Sequence, residues 1–577
     1  MSQMHNPYAE ERDHTVFEIG HGVAWVVAVV FMLLLSVPPL VEHVDKGLKE
    51  KWAESPVGRL LGWKPKETTL LAHIRAVEGG LDAAGYSTWM RQTTQGWLTR
   101  EFALGNRKSF IGYEGWLFYP PDLRALTGHG PLKKEPVSVM KAPELAKLPE
   151  TRDVIVAFAK QLEERGVKLV LVPVPLKPMI YPEHVSPLIT NEWITHPDAP
   201  AFYELLRREG VEVLDLTPDL AKVRSKRQHV FVRDPDRRDR EAVAQAQEDA
   251  RKLQKAFLMQ DTHWSPEAMR VAAEKVAGYL RENHGDLLEP VEEMIRAEDG
   301  VMRSSLGDLV HLLDPKDADR MFAKEEAFLR VIGEGARSRE SGLVLLGDSF
   351  VNIYDDASLG FDDPAVDNLQ EPRMRAGFAE QLAVVLQQPL DVIAMNGRGS
   401  TEVRKEFARR PDDEVRSKKV VVWVIAARDV LLSRSAAKQA DIEWGFVEFN
   451  PNKSKAGAEV AVASNGEMRV VVEAMLSEKS PNQSPVGTPY REALHAAVYD
   501  VEKVVEGKLE AQQVIGIQWT FRDKVMQPTS DFAEGGRYRL TLVPWDSKPE
   551  LQGLNLEDTT SVFDAERWFV EKAEVME

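Results

Sequence analysis

The chain has 577 residues, with 73 Lys or Arg against 91 Asp or Glu, a formal charge of −18 and no cysteine. The acidic balance argues against nucleic acid as a partner and leaves a polyanion only a local basic cleft to bind. The missing Cys excludes disulfides and thiol nucleophiles, and the length admits roughly two to four domains with ample core.

In chain order, residues 1–21 are an N-terminal tail. Gly22 to Val41 then runs about 20 residues without a formal charge, the length a helix needs to cross a bilayer core. No small-x-small cleavage site follows, so the run reads as an uncleaved transmembrane signal anchor. Arg12 is the only Lys or Arg before it, whereas Lys46, Lys49 and Lys51 follow. Taken alone, the positive-inside rule puts the C-terminal part in the cytoplasm. Residues 42–104, charged and containing Trp, read as a helical stalk or extension.

A catalytic α/β domain is expected over residues 105–434. Thr151 to Arg165 carries a helical stripe of Val154, Ile155, Phe158 and Leu162, ended by Gly166. Lys168 to Val174, Val211 to Leu214, Leu343 to Leu346, Val392 to Met395 and Val420 to Ile425 are short apolar runs of the buried-strand type. Such runs separated by helices predict a parallel sheet flanked by helices, with its site at the carboxyl ends of the strands. Lys222 to Lys255 is highly charged and reads as a solvated loop and helix.

Residues 435–577 change pattern to a β-rich, sandwich-like domain. Ala458 to Ala463 and Met468 to Met475 flank the turn Ser464-Asn465-Gly466-Glu467, and Val514 to Phe521 and Arg537 to Pro544 add two strands. One helix is expected around Tyr490 to Val505. Trp444, Trp519, Trp545 and Trp568 offer a stacking platform for a ligand, although aromatics in alternating strands more often form core.

Two motifs carry chemistry. Asp261-Thr262-His263-Trp264 comes first and Gly347-Asp348-Ser349-Phe350 later, at the end of an apolar run. A serine needs a base to take its proton, and the base works best when an acid orients it. Residues i and i+2 of an extended segment point the same way, so Asp261 can reach His263. Ser265-Pro266-Glu267 has the chemistry of a helix start, with Ser as N-cap and Pro in the first position.

The motif order and three further segments resemble the SGNH-hydrolase-like domain of the alginate O-acetyltransferase family (AlgX/AlgJ-like). The family is circularly permuted, with the Asp/His block before the Gly-Asp-Ser block, as here. Gly112-Tyr113-Glu114-Gly115-Trp116-Leu117-Phe118, Val172-Pro173-Val174-Pro175-Leu176-Lys177 and Gly307-Asp308-Leu309 are similar to its other blocks. Coverage runs from about residue 105 to 430. The late strand departs from the pattern: Trp423 and Arg428 align, but the family's two acidic positions are missing.

The resemblance implies an acetyltransferase using Ser349, His263 and Asp261. It implies oxyanion donors, for which Asn396 and Gly397 are candidates, although Asn396-Gly397-Arg398-Gly399 also reads as a Gly-rich turn. Lys177, Tyr181, Arg398 and Arg428 are candidate substrate contacts. It further implies a secreted polysaccharide acceptor, an acetyl donor supplied by a membrane-bound O-acyltransferase partner, and an inner-membrane anchor with a periplasmic catalytic domain. No cofactor or metal is expected. A carbohydrate acetyl esterase with the same triad, and a non-catalytic scaffold of an exopolysaccharide assembly, remain as alternatives.

Overall fold

The computed structural model describes residues 85–133, 147–224, 255–288, 294–361 without 299, 375–449, 469–562 without 487, and 565–576, with residues 25, 29, 32, 74 and 145 singly. The anchor segment Gly22 to Val41, apart from Trp25, Val29 and Met32, lies outside the described residues. So do most of residues 42–104, the charged stretch 225–254 and the turn at 464–467. Among the described residues no helix is long and apolar enough to cross a membrane. The chain divides into compact units at Thr94, and helix α1 (Gly85–Phe102) runs across that boundary.

The second unit opens with an α/β domain. Its labelled elements are α2 (Thr151–Glu163), β1 (Lys168–Val174), β2 (Glu212–Val213), α3 (Pro266–His284), α4 (Asp308–Leu313), β3 (Leu343–Gly347), α5 (Ser349–Asn352), α6 (Phe378–Leu386), β4 (Asp391–Ala394) and β5 (Val420–Ala426). The five strands form one parallel sheet in the order β2-β1-β5-β3-β4. The last strand in sequence, β5, is thus inserted at the centre, and all seven of its residues are buried. That explains its unbroken apolar run: a central parallel strand has no solvent face. Helix α2 buries Val154, Ile155, Phe158 and Leu162 as the stripe predicts, and Gly166 follows at φ 76°. Sheet and helices share one continuous apolar core.

The carboxyl edge of this sheet gathers the segments of interest. Lys177 follows β1, Ser349 follows β3, Asn396 follows β4 and Arg428 follows β5. Open α/β sheets place their ligand crevice at this edge because loops there are free to diverge.

The C-terminal region is a closed barrel rather than a sandwich. Strands β6 (Val470–Lys479), β7 (Ala493–Glu506), β8 (Gln513–Arg522), β9 (Arg537–Pro544) and β10 (Glu566–Val575) pair in the ring β6-β7-β8-β10-β9-β6. Within this ring β8 and β10 pair in parallel and the other four pairs are antiparallel. Counted from β6, the ring runs first-second-third-fifth-fourth, the order of an OB-type Greek-key barrel.

The helix expected around Tyr490 to Val505 is instead the 14-residue strand β7. Its Ala and Val residues suit either state. Pairing with β6 on one side and β8 on the other decides it, as tertiary context overrides propensity. Trp545 and Trp568 are buried in the barrel's packing, and Trp444 is buried against Trp423 in the α/β core.

Polar contacts join barrel to α/β domain. Asn396 N–H donates to the Gly553 carbonyl (3.0 Å) and Asn555 Nδ2 to the Asn396 carbonyl (2.8 Å). Arg409 Nη2 reaches buried Asp558 at 2.8 Å, and Arg398 pairs with Glu557.

Candidate active site

Residues 256–265 form a tight turn-back before α3. Phe257 and Trp264 bridge antiparallel, and Ser265 N–H donates to the Ala256 carbonyl (3.0 Å). Ser265 Oγ then accepts from Ala268 N–H (3.1 Å), with Pro266 in the first turn, as the cap signature predicts. The loop between these anchors carries Asp261, fully buried, and His263.

Asp261 Oδ1 accepts from His263 Nδ1 at 2.6 Å and from His263 N–H at 3.0 Å, while its Oδ2 accepts from Asp308 N–H at 2.9 Å. A carboxylate offers only acceptors, so Nδ1 carries the hydrogen and Nε2 holds the lone pair. That Nε2 is buried and makes no hydrogen bond among the described residues. Burial alone pushes the imidazole's pKa down, but the Asp261 carboxylate, joined by Asp308 and Asp348, makes the net shift upward. For Asp261, burial pushes upward and His263 pulls the net shift down.

Ser349 lies at the end of β3, as the first residue of α5 and only 6% exposed. Asp348 caps the helix by accepting from Phe350 N–H (2.9 Å). The two motifs meet through aromatic rings. His263 packs on Phe350 (centroids 4.9 Å), Trp264 meets Phe350 edge-on (5.5 Å), and the Tyr354 hydroxyl donates to the Trp264 carbonyl (2.7 Å). No hydrogen bond yet joins Ser349 to His263, a looseness common before substrate binds.

The backbone behind the loop is held by Asp308 and Glu325. Asp308 accepts from Thr262 N–H (2.8 Å) and Thr262 Oγ1 (2.5 Å). It reaches them because Gly307, at φ 84°, approaches the Gln260 carbonyl where a Cβ would clash at 2.3 Å. Burial first, then the Asp261 charge, raises Asp308 to about 6. Glu325 accepts from Met259 N–H (2.8 Å) and Gln260 N–H (2.7 Å). The Gly307-Asp308-Leu309 block was a visible signal for Asp308, whereas nothing in the sequence marked Glu325.

The candidate substrate contacts are turned to internal work. Lys177 is fully buried, donates to the carbonyls of Leu258 (3.1 Å) and Met259 (3.0 Å), and is lowered to about 8 by burial. Lys177 and Glu325 therefore grip the Asp261 loop from its carbonyl and N–H sides. The Tyr181 hydroxyl accepts from Ala256 N–H (2.7 Å). Arg398 is paired with Glu557, and Arg428 with Asp122 (3.1 Å) and Asp429 (3.2 Å).

Of the oxyanion candidates, Asn396 donates through Nδ2 to Asp356 (2.7 Å) and accepts from Asn352 at Oδ1 (3.0 Å). Gly397 has φ 72° and no room for a side chain. Asp261, His263 and Asp308 offer ligand atoms within 4.8 Å of one another, a spacing a cation can span. The 2.6 Å Nδ1–Oδ1 contact is nonetheless a hydrogen bond, and Thr262 engages both Asp308 oxygens. The cluster is thus assembled as a bonded acid–base set.

A parallel sheet with an acid–base pair and a serine at its carboxyl edge defines the class, an α/β protein of the SGNH hydrolase-like type. A family model described as the SGNH hydrolase-like domain of the acetyltransferase AlgX matches residues 110–246 and 236–427, more than half of the chain, and the chain belongs to that family. It is 24% identical over 373 residues to the probable alginate O-acetylase AlgJ of Pseudomonas aeruginosa, covering 61% of this chain and 79% of that protein. Among solved structures it is similar to the O-acetyltransferase domain of Pseudomonas putida AlgJ, at 19% identity and TM-score 0.37, over 56% of this chain and 92% of that one. It is also similar to Pseudomonas aeruginosa AlgX, at 15% identity and TM-score 0.37, over 65% and 71%.

Proposed function

We propose that this protein transfers acetyl groups to hydroxyls of a secreted polysaccharide through an acetyl-serine on Ser349. The observation that carries the reading is the Asp261–His263 bond, which leaves a buried, unpartnered Nε2 beside the Ser349-Phe350 turn. Family membership supports the acetyltransferase class. The name of the AlgJ relative supports polysaccharide O-acetylation as the reaction.

His263 Nε2 takes the Ser349 hydroxyl proton as Oγ attacks the acetyl carbonyl carbon of the donor. The oxyanion is held by the Ser349 backbone N–H and by the second N–H of Asn396 Nδ2. Its collapse expels the donor's leaving group, which takes the proton from His263. An acceptor hydroxyl then gives its proton to Nε2 and attacks the acetyl-serine, and Ser349 Oγ leaves with that proton. Asp261 keeps the imidazole in the Nδ1–H tautomer and stabilises the imidazolium.

The same reading makes Gly22 to Val41 a signal anchor in the inner membrane, the catalytic domain periplasmic, and a membrane-bound O-acyltransferase the source of the acetyl group. Trp25, Val29 and Met32, helical and exposed at 72%, 51% and 61%, are consistent with an apolar helix surface there. A C-terminal reporter active only in the cytoplasm overturns this topology.

The test uses the detergent-solubilised full chain with p-nitrophenyl acetate and oligosaccharide acceptors, following acetyl groups by mass spectrometry. Ser349→Ala and His263→Ala should each abolish acetylation of Ser349 and of the sugar while melting as the wild type does. Wild-type acetylation in both variants removes the assignment. Ser349-dependent release of acetate to water alone, whatever the acceptor, makes the protein an esterase.

A further inference from the structure

The C-terminal barrel reaches the same edge of the sheet. Tyr490, just before β7, belongs to the barrel. A Cβ on Gly397 would lie 2.6 Å from the Tyr490 hydroxyl oxygen and 3.2 Å from its ring. Two residues on, a Cβ on Gly399 would lie 2.9 Å from the Cβ of Asp348, the residue directly before Ser349. The Gly397-Arg398-Gly399 loop thus touches the barrel tyrosine at one end and the serine turn at the other.

The charges around Tyr490 agree with that position. Its ionisable neighbours are Asp348, Arg428, Tyr119 and Asp308, of which Asp348 adjoins the serine and Asp308 holds the His263 loop. Burial, then Asp348, raises the phenol, which therefore remains a donor at neutral pH. Tyr490 is half-buried, and its hydroxyl bonds to no described residue. Tyr119, from the α/β side, is likewise half-buried, its hydroxyl makes no hydrogen bond among the described residues, and it shares Arg428 and Asp308 as neighbours. The barrel approaches from a second direction at the tip after β8. There Lys524 and Arg491 are charged neighbours of His311 on α4, which also senses Asp261.

We propose that the barrel forms part of the acceptor face of this site and that Tyr490 positions the sugar whose hydroxyl attacks the acetyl-serine. This inference rests on the acetyl-serine reading above. An aromatic ring with an unspent O–H suits a pyranose, which offers C–H groups to the ring and an oxygen to the hydroxyl. The acetyl group itself needs only the serine pocket. A polymeric acceptor needs an extended surface, and the barrel edge adjoining the serine turn supplies one.

The experiment measures, on the solubilised full chain, the Ser349 acylation burst with p-nitrophenyl acetate. It also measures the partition of acetyl-enzyme between water and a panel of oligomannuronate and cello-oligosaccharide acceptors. Tyr490→Ala should leave the burst within about twofold and raise the acceptor KM about tenfold, the loss of one hydrogen bond and one stacked ring. Tyr490→Phe, which keeps the ring packed against Gly397, should give a smaller rise and guards against misfolding. A partition unchanged in both variants overturns the assignment, as does a wild-type acetyl-enzyme that no sugar intercepts. Absence of any Ser349-dependent burst in the wild type removes the underlying reading instead.

Discussion

The α/β domain and the barrel each bury a histidine, and the two differ in what surrounds the ring. His495, in the barrel interior, bonds through Nδ1 to Thr520 Oγ1 (2.9 Å) and through Nε2 to Gln518 Nε2 (2.8 Å). The Tyr499 hydroxyl donates to Gln518 Oε1 (2.8 Å), so the amide must give its N–H to Nε2. Both nitrogens are spent on neutral partners, and burial, with Lys479 adding to it, lowers His495 to about 3. His263 is as deeply placed, but its Nδ1 faces a carboxylate and its Nε2 is free. Burial alone makes a histidine a neutral strut, whereas burial beside an oriented acid makes it a base.

That contrast can be broken most severely at Asp261. Asp261→Asn offers the ring an ambiguous partner and should lower the acylation rate about 10⁴-fold, the scale found when an orienting acid is neutralised. A burst-rate loss under about tenfold would mean that the pair is structural. The pH profile sharpens the same point. His263 must be neutral to accept a proton, and its pKa is raised above the ordinary 6.5. The acid limb of kcat/KM should therefore fall at a midpoint above 6.5, and Asp261→Asn should move it down.

The support beneath the loop comes next in size. Lys177→Met leaves the buried Leu258 carbonyl without its donor and the Met259 carbonyl with only the Leu117 N–H, and should cost about 2 kcal/mol of stability, measured by denaturant unfolding, together with a lower burst rate. Lys177 is lowered to about 8 from an ordinary 10.5, so between those values the unfolded chain binds more protons than the folded one. Stability of the wild type relative to Lys177→Met should accordingly rise as pH goes from 8 to 10.5. A flat difference would contradict the buried charge.

The smallest effect on chemistry is expected on the barrel side. His495→Leu orphans Gln518 and Thr520 and should destabilise by about 1–3 kcal/mol while the Ser349 burst stays unchanged. A lost burst in a folded His495→Leu protein would show that the barrel interior couples to the site.

Much of the α/β region was legible because its signals are local. Lys168–Val174 is a strand over the range read from its apolar run, and Ser265 caps α3 with the neighbours its motif predicts. Asp261 meets His263 at the short spacing the motif gives, although through a bend in which the carboxylate also accepts the His263 N–H rather than through the extended chain expected. Lys177, Tyr181, Arg398 and Arg428 have side chains suited to binding a ligand, yet each is occupied by internal partners. Which partner a long polar side chain finds depends on segments tens to hundreds of residues away.

The sequence by itself determined the acid–base pair, the serine at a strand-to-helix turn and the strand-and-helix alternation around them. Short spacing and two-sided burial leave such elements few alternatives. Only the tertiary structure decided that Ala493–Glu506 is a strand, that five strands close into a barrel, and that Asp308 and Glu325 hold the Asp261–His263 loop. Those outcomes rest on hydrogen bonds between distant segments and on which charges lose their water, and neither is written in any local pattern.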